Sequence, residues 1–151
     1  MEPIVRAVCY ILSPLALWRI RKINARHRLS GSKAVDNVPF LPVYFSNDML
    51  TKTTVVYVTQ LPSILLPRIF FKNAVGIALE DTYYIKEKYK NRWHLHFHEL
   101  VHIQQWQRLG SRKFLTEYIA ETLIEGYRGN RFEVEAYELE RRFKCNEVFK
   151  I

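Results

Sequence analysis

The apolar positions of the chain follow two patterns, which separate a strand-forming part from a helical part. Residues 51–61 are rich in β-branched and aromatic side chains and predict a strand. Short apolar runs at 74–79 and 83–85 flank a polar turn at 80–82, a pattern typical of a hairpin. From residue 91 onward the apolar positions recur every three or four residues, which predicts helices.

The helical part divides into three segments at residues that favour helix ends. The first helix covers about 92–109 and ends at Gly110, and the second covers about 111–127 with Ser111 as its N-cap. A third begins near Asn130, and its apolar side carries Phe132, Ala136, Leu139 and Phe143. The order predicts an α+β fold, in which a small sheet with an edge hairpin packs on a core of about three helices.

The N-terminal segment combines an apolar run with a basic tail. The apolar run at 7–18 would span only about 18 Å as a helix, short of the ~30 Å of a bilayer core, and Pro14 interrupts it. We therefore expect a core or membrane-surface helix and no transmembrane span. Residues 21–39 predict a loop or linker. Residues 1–40 thus form a basic helix and linker, and 41–151 the main domain, as one compact unit.

Charge and cysteine content point to a partner and a compartment. The net charge is +8, and the first forty residues carry seven basic side chains against two acidic ones. Residues 1–28 would suit an anionic membrane surface, although a basic face that only keeps the protein soluble is equally compatible; nucleic acid is the less favoured partner. Cys9 and Cys145 have no disulfide spacing, which favours idle thiols and a cytoplasmic, potentially membrane-associated location.

One helix contains the candidate chemistry, the motif H-E-x-x-H at residues 98–102. Because residues four apart share a helix face, His98 and His102 can present two imidazoles to one metal ion. Glu99 lies beside that face, where it suits a general base better than a ligand. The flanking residues are apolar, and two histidines in a core would each need a polar partner. A metal satisfies both rings, so the motif predicts a metal site.

A catalytic zinc site usually has a third protein ligand. No histidine follows His102, so carboxylates are the remaining donors apart from the distant Cys145. Four glutamates compete: three form a stripe on the second helix, and the fourth stands in the first turn of the third. The four are Glu117, Glu121, Glu125 and Glu133. Ala136 beside Glu133 would allow close helix packing, which favours this carboxylate.

The segments HELVHIQQW and GYRGNRFEVEAY together resemble the gluzincin metallopeptidases. They are more closely similar to small uncharacterised microbial proteins with H-E-L-x-H-x-x-Q and N-P-F-E-x-E-A-Y, over about residues 74–140. The resemblance implies a zinc ion held by His98, His102 and Glu133. Arg131 departs from the pattern, which has proline there. Glu121 is the rival third ligand by its spacing, but the asparagine expected before it is absent.

The resemblance also implies a function. We expect a zinc-dependent metallopeptidase that hydrolyses peptide bonds through a zinc-activated water, with Glu99 as general base and a peptide substrate paired with the edge strand at 74–79. Glu135 would orient a ligand histidine, and three tyrosines are candidates for stabilising the oxyanion: Tyr118, Tyr127 and Tyr137. His94 and His96 are predicted at the surface or supporting a ligand. Alternative functions are a zinc-binding domain without proteolytic activity and a basic membrane-surface or nucleic-acid-binding module.

Overall fold

The computed structural model describes residues 1–38, 41–64 and 74–151, which form six α-helices and a four-stranded sheet. The predicted α+β class is confirmed. The helices are α1 Glu2–His27, α2 Ala34–Asn37, α3 Asn47–Lys52, α4 Trp93–Leu109, α5 Ser111–Glu125 and α6 Arg131–Lys144. The strands are β1 Ser32–Lys33, β2 Thr54–Val58, β3 Gly76–Leu79 and β4 Thr82–Lys86.

The sheet is mixed, with the strand order β1-β2-β4-β3. Strands β2 and β4 are parallel, whereas β3 and β4 form the predicted hairpin. Within the described residues β3 has a neighbour on one side only, so it is an edge strand as expected. The strand predicted at 51–61 is confirmed over β2. Residues 65–73, between β2 and the hairpin, lie outside the described part of the chain.

Apolar side chains cover both faces of the sheet, because successive side chains of a strand point to opposite faces. Tyr83 of β4 packs in a cluster with Phe97 and Leu100 of α4. Its neighbour Tyr84 packs in a second cluster with Trp106 of α4 and side chains of α1 and α5. Helix α4 contributes to both clusters and is therefore fixed firmly, which matters because it carries the candidate motif.

The C-terminal helices begin and end close to the predicted residues. Asn130 caps α6, since its Oδ1 accepts a hydrogen bond from the Phe132 amide at 2.9 Å. The N-cap predicted for α5 is wrong by one residue, because Gly110 occupies that position with φ 79° and Ser111 is already helical. Helix α5 ends at Glu125, before Gly126 at φ 76°, two residues earlier than expected.

Helix α1 is much longer than the sequence predicted. It covers 26 residues, or about 39 Å, and continues through Pro14. Proline removes the amide that would bond the Tyr10 carbonyl, but Ser13 Oγ donates to that oxygen at 2.8 Å and Arg112 Nη2 donates at 3.3 Å. Because the Tyr10 carbonyl has these two donors, the helix continues through Pro14 without a break. The loop predicted at 21–39 is therefore wrong over residues 21–27.

The added length corrects the conclusion about membranes. An 18-residue window of α1 has a mean hydropathy of 1.3 and is 28% buried, so the helix is long and apolar enough to cross a membrane by length and composition. A core helix and a signal sequence share these properties. The length of the apolar run alone therefore does not exclude a membrane span. The division into residues 1–40 and 41–151 stays a prediction; α1 packs against α5 and, through Asn24, the hairpin.

Candidate metal centre

Helix α4 brings the two motif histidines together as predicted. His98 and His102 lie one turn apart on one face, both are buried, and their Nε2 atoms are 3.1 Å apart. The opposite face of α4, with Phe97 and Leu100, belongs to the core. Because the face with Phe97 and Leu100 packs in the core, the direction of the histidine face is fixed.

Glu133 approaches these histidines from the first turn of α6. Its Oε2 lies 3.4 Å from His98 Nε2, and its Oε1 lies 3.2 Å from His102 Nε2. Helices α4 and α6 pack closely where Ala136 is fully buried, as the small residue predicted. The structure therefore brings the three predicted ligands into one group, in which the ligand atoms lie within 4.8 Å of one another.

The amide of Gln105 determines which nitrogen of His102 carries a proton. Gln105 Nε2 donates to the Phe132 carbonyl at 3.0 Å and to Glu135 Oε2 at 2.8 Å, so its Oε1 must face His102. That oxygen lies 2.8 Å from His102 Nδ1. An amide oxygen only accepts, so Nδ1 carries the proton and the lone pair of Nε2 points toward Glu133 and His98.

A carboxylate has the same effect on His98. Glu140 Oε2 lies 3.0 Å from His98 Nδ1, and Glu140 also pairs with Lys144. With Nδ1 donating to this carboxylate, His98 Nε2 is free to act as an acceptor. Two imidazole lone pairs and the Glu133 carboxylate then converge on one point. Atoms of this kind repel one another unless a cation lies between them.

The pKa values indicate the same demand for positive charge. Burial alone would lower the pKa of His98, but hydrogen bonds with Glu133 and Glu140 raise it to about 10. Burial alone would raise the pKa of Glu133, but His102 and His98 hold it well below its usual range. Without a metal, a proton on the imidazoles supplies this charge.

The spacing of the three donors fits a tetrahedral ion. Ligand atoms about 2.0–2.1 Å from zinc at the corners of a tetrahedron are about 3.3 Å apart. The two imidazole nitrogens are 3.1 Å apart, and each lies close to a different oxygen of the Glu133 carboxylate, at 3.2 Å for His102 and 3.4 Å for His98. The chemistry also agrees, since two imidazoles and a carboxylate are a common ligand set of catalytic zinc. These residues therefore fit zinc and leave the fourth corner to a small molecule.

Glu99 lies beside this group and is not part of it. Its side chain is buried, its Oε2 has no hydrogen-bond partner among the described residues, and it lines the same cleft as His102 and Glu133. Burial raises its pKa to about 7, against the lowering effect of His98 and His102. A carboxylate with a free oxygen and a pKa near neutrality is suited to proton transfer.

Gly76 of β3 makes room for Glu99. A Cβ atom at this glycine would lie 2.9 Å from Cδ of Glu99 and still closer to its Oε1, so any side chain would displace the carboxylate. No motif in the sequence pointed to this residue. An isolated glycine in a strand often marks a close approach, which was the only available signal.

The cleft above the site is small, with a volume of about 50 Å³, and has an apolar wall. The Lys86 amide donates to the Val75 carbonyl, so in this antiparallel pair residues 75, 77 and 79 form the hydrogen bonds with β4. The backbone groups of Gly76 and Ala78 therefore point away from β4, toward the edge that no described strand covers. Trp106 Nε1 donates to the Ala78 carbonyl at 3.3 Å. The remaining wall comes mainly from α5: Phe114, Leu115 and Ile119.

The three candidate tyrosines occupy different positions. Tyr118 donates to Glu133 Oε1 at 2.6 Å, so it orients a candidate ligand. Tyr127 lines the cleft and hydrogen bonds with Glu133 and Tyr137, and burial raises its pKa. Tyr137 is half exposed, and its ring centroid is 4.6 Å from that of His98. Tyr118 and Tyr127 are thus the two of the three that line the cleft.

The rival glutamates of α5 serve other contacts. Glu121 is buried, but its Oε2 accepts from the Arg131 amide at 3.1 Å and its Oε1 pairs with the Arg131 side chain at 2.9 Å. Glu117 pairs with Arg6 and Arg131, and Glu125 is exposed. Glu121 thus stabilises the start of α6, and it is not in the group formed by His98, His102 and Glu133.

Several supporting residues were predicted only in part. Glu135 reaches His102 through Gln105, so its predicted orienting role is indirect. Gln105 belongs to the quoted segment HELVHIQQW but had no predicted role. Glu140 was missed, although its position seven residues after Glu133 places it on the same face of α6. His96 is fully buried against the Tyr83 hydroxyl at 2.9 Å, so the prediction of a surface or ligand-supporting residue is wrong. His94 is partly buried, and burial lowers its pKa.

Comparisons of the chain with models of protein families, with curated proteins and with solved structures found no match. The gluzincin resemblance therefore rests on the motif residues alone.

Proposed function

We propose that this protein is a zinc-dependent metallopeptidase. The observation that carries the proposal is the convergence of acceptor groups from His98, His102 and Glu133 next to a buried oxygen of Glu99 that no described residue hydrogen bonds. When bound, zinc acidifies a water molecule and polarises a carbonyl group. The proposed activity is hydrolysis of a peptide bond.

The residues around the cleft have distinct roles in this proposal. Glu99 Oε2 accepts a proton from the attacking water and returns it to the nitrogen of the leaving amine. The open backbone of Gly76 on β3 pairs with an extended peptide, which aligns the substrate with little dependence on its sequence. The apolar wall at Phe114, Leu115 and Ile119 accepts a hydrophobic side chain of that peptide.

We further propose a cytoplasmic location for the activity. Cys9 is buried, Cys145 is exposed, and both are free thiols. An exposed free thiol is most compatible with a reducing compartment.

The main alternative is a zinc site that orders the helices without catalysis. Two features favour the peptidase. A structural zinc site is usually closed by four protein ligands, whereas the group here has three. A structural site also has no use for a buried carboxylate such as Glu99, which costs free energy to keep without a partner.

Metal analysis of purified variants tests the ligand set. We expect about one zinc per chain in the wild type, and loss of zinc in both His98→Ala and Glu133→Ala because three ligands are the minimum for this site. Glu121→Gln is the matched control, since it changes a buried glutamate of the neighbouring helix outside the group. Zinc retained in Glu133→Ala but lost in Glu121→Gln would assign the third ligand to Glu121 instead.

Glu99→Gln separates the peptidase from the structural alternative. The variant keeps the shape of the side chain and removes its basicity, so we expect full zinc content and a loss of turnover by roughly 10²–10⁴-fold. Cleavage of a library of internally quenched peptides measures the turnover. If the zinc-loaded wild type cleaves none of them, or Glu99→Gln cleaves as fast as the wild type, the proposed mechanism is wrong.

A further inference from the structure

Helix α1 presents a row of large apolar side chains to solvent. We call this row the apolar stripe: Ile4, Val8, Ile11, Leu15 and Trp18. These side chains are between 48% and 71% exposed, so no described residue of the protein covers them. Single exposed apolar residues are common, but a continuous row of five over about 21 Å is not, and it indicates an interaction surface.

The stripe is a helix face distinct from the one that holds α1 to the protein. At 3.6 residues per turn, its five residues fall within roughly 80° of the helix circumference. The buried residues of α1 fall on the opposite side: Cys9, Ser13, Ala16, Leu17, Ile20 and Asn24. The helix therefore has two apolar faces, and only one has a partner within the described chain.

Basic side chains continue the same face. Lys22 and Arg26 follow Trp18 at intervals of four residues, and both are exposed. Lys22 Nζ lies 4.7 Å from the centre of the Trp18 ring, so the change from apolar to basic occurs between adjacent turns. Arg19 flanks them and is exposed as well. A surface with this order complements hydrocarbon next to negative charge.

We propose that α1 docks the protein on the surface of an anionic membrane. The apolar stripe enters the boundary between headgroups and acyl chains, while Lys22 and Arg26 contact lipid phosphates. Trp18 occupies the interface between these two regions, which aromatic rings favour in membranes. The net charge of +8 adds a long-range attraction to such a surface.

The contacts of α1 favour a helix lying on the membrane over one crossing it. Near its start, Arg6 pairs with Glu117, and the guanidinium of Arg112 stacks 3.7 Å from the Tyr10 ring. Near its end, Asn24 bonds the Leu79 carbonyl at 2.8 Å and accepts from the Tyr84 hydroxyl at 2.8 Å. A helix held along its whole length cannot cross a bilayer without bringing charged groups of α5 with it.

Co-sedimentation of the full-length protein with vesicles tests the apolar part of the proposal. We expect the wild type to bind vesicles of phosphatidylcholine and phosphatidylglycerol. Ile11→Glu should bind at least about tenfold more weakly, since a charge replaces an aliphatic side chain that enters the lipid. Val148→Glu is the matched control, because Val148 is 80% exposed outside the stripe and the change adds the same charge. Equal weakening by both variants would overturn the proposal.

The same assay tests the basic part. Replacing Lys22 and Arg26 with glutamine should weaken binding roughly 25-fold, at about fivefold for each basic residue near an anionic surface. The control pair, Lys33→Gln with Arg128→Gln, removes two exposed charges elsewhere and should weaken binding far less. Binding to pure phosphatidylcholine as tight as to the anionic mixture would contradict the role of charge.

Two further outcomes would overturn the proposal in favour of another occupant. Light scattering of the protein without lipid should give a monomer; a dimer that Ile11→Glu dissociates would make the stripe an interface between two copies. High salt applied to bound protein should release it from the vesicles, because a surface-docked helix depends partly on charge. Protein that resists salt and alkaline extraction would instead have α1 across the bilayer.

Discussion

The candidate metal centre and the apolar stripe both depart from the usual distribution of side chains between the interior and the surface. At the centre, ionisable groups are buried: His98, His102 and Glu133 are each no more than 6% exposed. Along the stripe, aliphatic groups face water, with Ile11 at 71% exposure. A buried polar group and an exposed apolar row are the two departures from ordinary burial that carry information.

The two regions differ in how much of their environment the chain supplies. The centre has its own supporting residues, since Gln105, Glu140 and Tyr118 each bond a candidate ligand. No described residue supports the outer side of the apolar stripe in this way. We infer that the centre is built to hold one small ion in a defined geometry, whereas the stripe suits a partner without fixed shape, as a lipid surface is.

Removing metal should have the largest effect and should act on the centre alone. Zinc at about a thousand times its dissociation constant would stabilise the fold by about 4 kcal/mol. For a protein of this size the loss would lower Tm by roughly 8–16 °C, measured by thermal unfolding with and without a chelator. His98→Ala should show no such chelator effect, whereas Ile11→Glu should show it in full. Identical Tm values for the wild type in both conditions would contradict a metal-built centre.

Gly76→Ala should damage catalysis while leaving the metal in place. The new methyl group overlaps the Glu99 carboxylate and displaces it from the cleft, so we expect turnover to fall by about 100-fold. Zinc content should equal that of the wild type, because Gly76 is outside the ligand group.

Gly31→Ala serves as the control for that variant. A Cβ there crowds the Thr54 side chain of β2, which β4 separates from β3, so this change should lower Tm without changing turnover per folded molecule. A loss of turnover equal to that of Gly76→Ala would show that any strain in the sheet disturbs the site.

Glu140→Gln should weaken zinc binding by roughly 10-fold to 100-fold, since the amide no longer offers His98 a negative charge. Competition with a chelating dye measures the change. Glu138→Gln is the control on the same helix, where Glu138 pairs with the exposed Arg141 and contacts no candidate ligand. Equal affinity in both variants would mean that the supporting residues do not tune the centre.

Ile11→Ala should have the smallest effect on stability, within about 0.5 kcal/mol by urea unfolding, because its side chain has little contact to lose. Ile20→Ala, on the buried face of the same helix, should cost about 2–5 kcal/mol. This pair distinguishes a stripe that is free in solution from one that another part of the protein covers. A large loss of unfolding free energy in Ile11→Ala would indicate that another part of the protein covers the stripe.

The sequence predicted local features of the centre better than distant ones. Two histidines four residues apart share a face in any helix, so their meeting needed only the helix itself. Glu133 was favoured over Glu121 by a resemblance and a small neighbour, Ala136. Gly76 reaches the centre through the packing of β3 on α4, which no spacing in the sequence encodes. Glu140 lies two helical turns after Glu133 on the same face of α6, a spacing that was readable from the sequence.

Helix α1, at the other end of the chain, also shows that local sequence patterns do not predict contacts between distant residues. Pro14 removes a backbone donor, and the sequence therefore indicated a break. The helix continues because Arg112, almost a hundred residues away, and the adjacent Ser13 donate to the Tyr10 carbonyl instead. A local rule about proline was overridden by one tertiary contact and one neighbouring hydroxyl.

Helix α1 shares an apolar cluster with residues that line the cleft. Three of its side chains, Ala16, Leu17 and Ile20, pack in the same cluster as four residues of the cleft wall: Leu79, Trp106, Phe114 and Leu115. If α1 docks on a membrane as proposed, this shared core would hold the mouth of the cleft at a fixed height above the lipid surface.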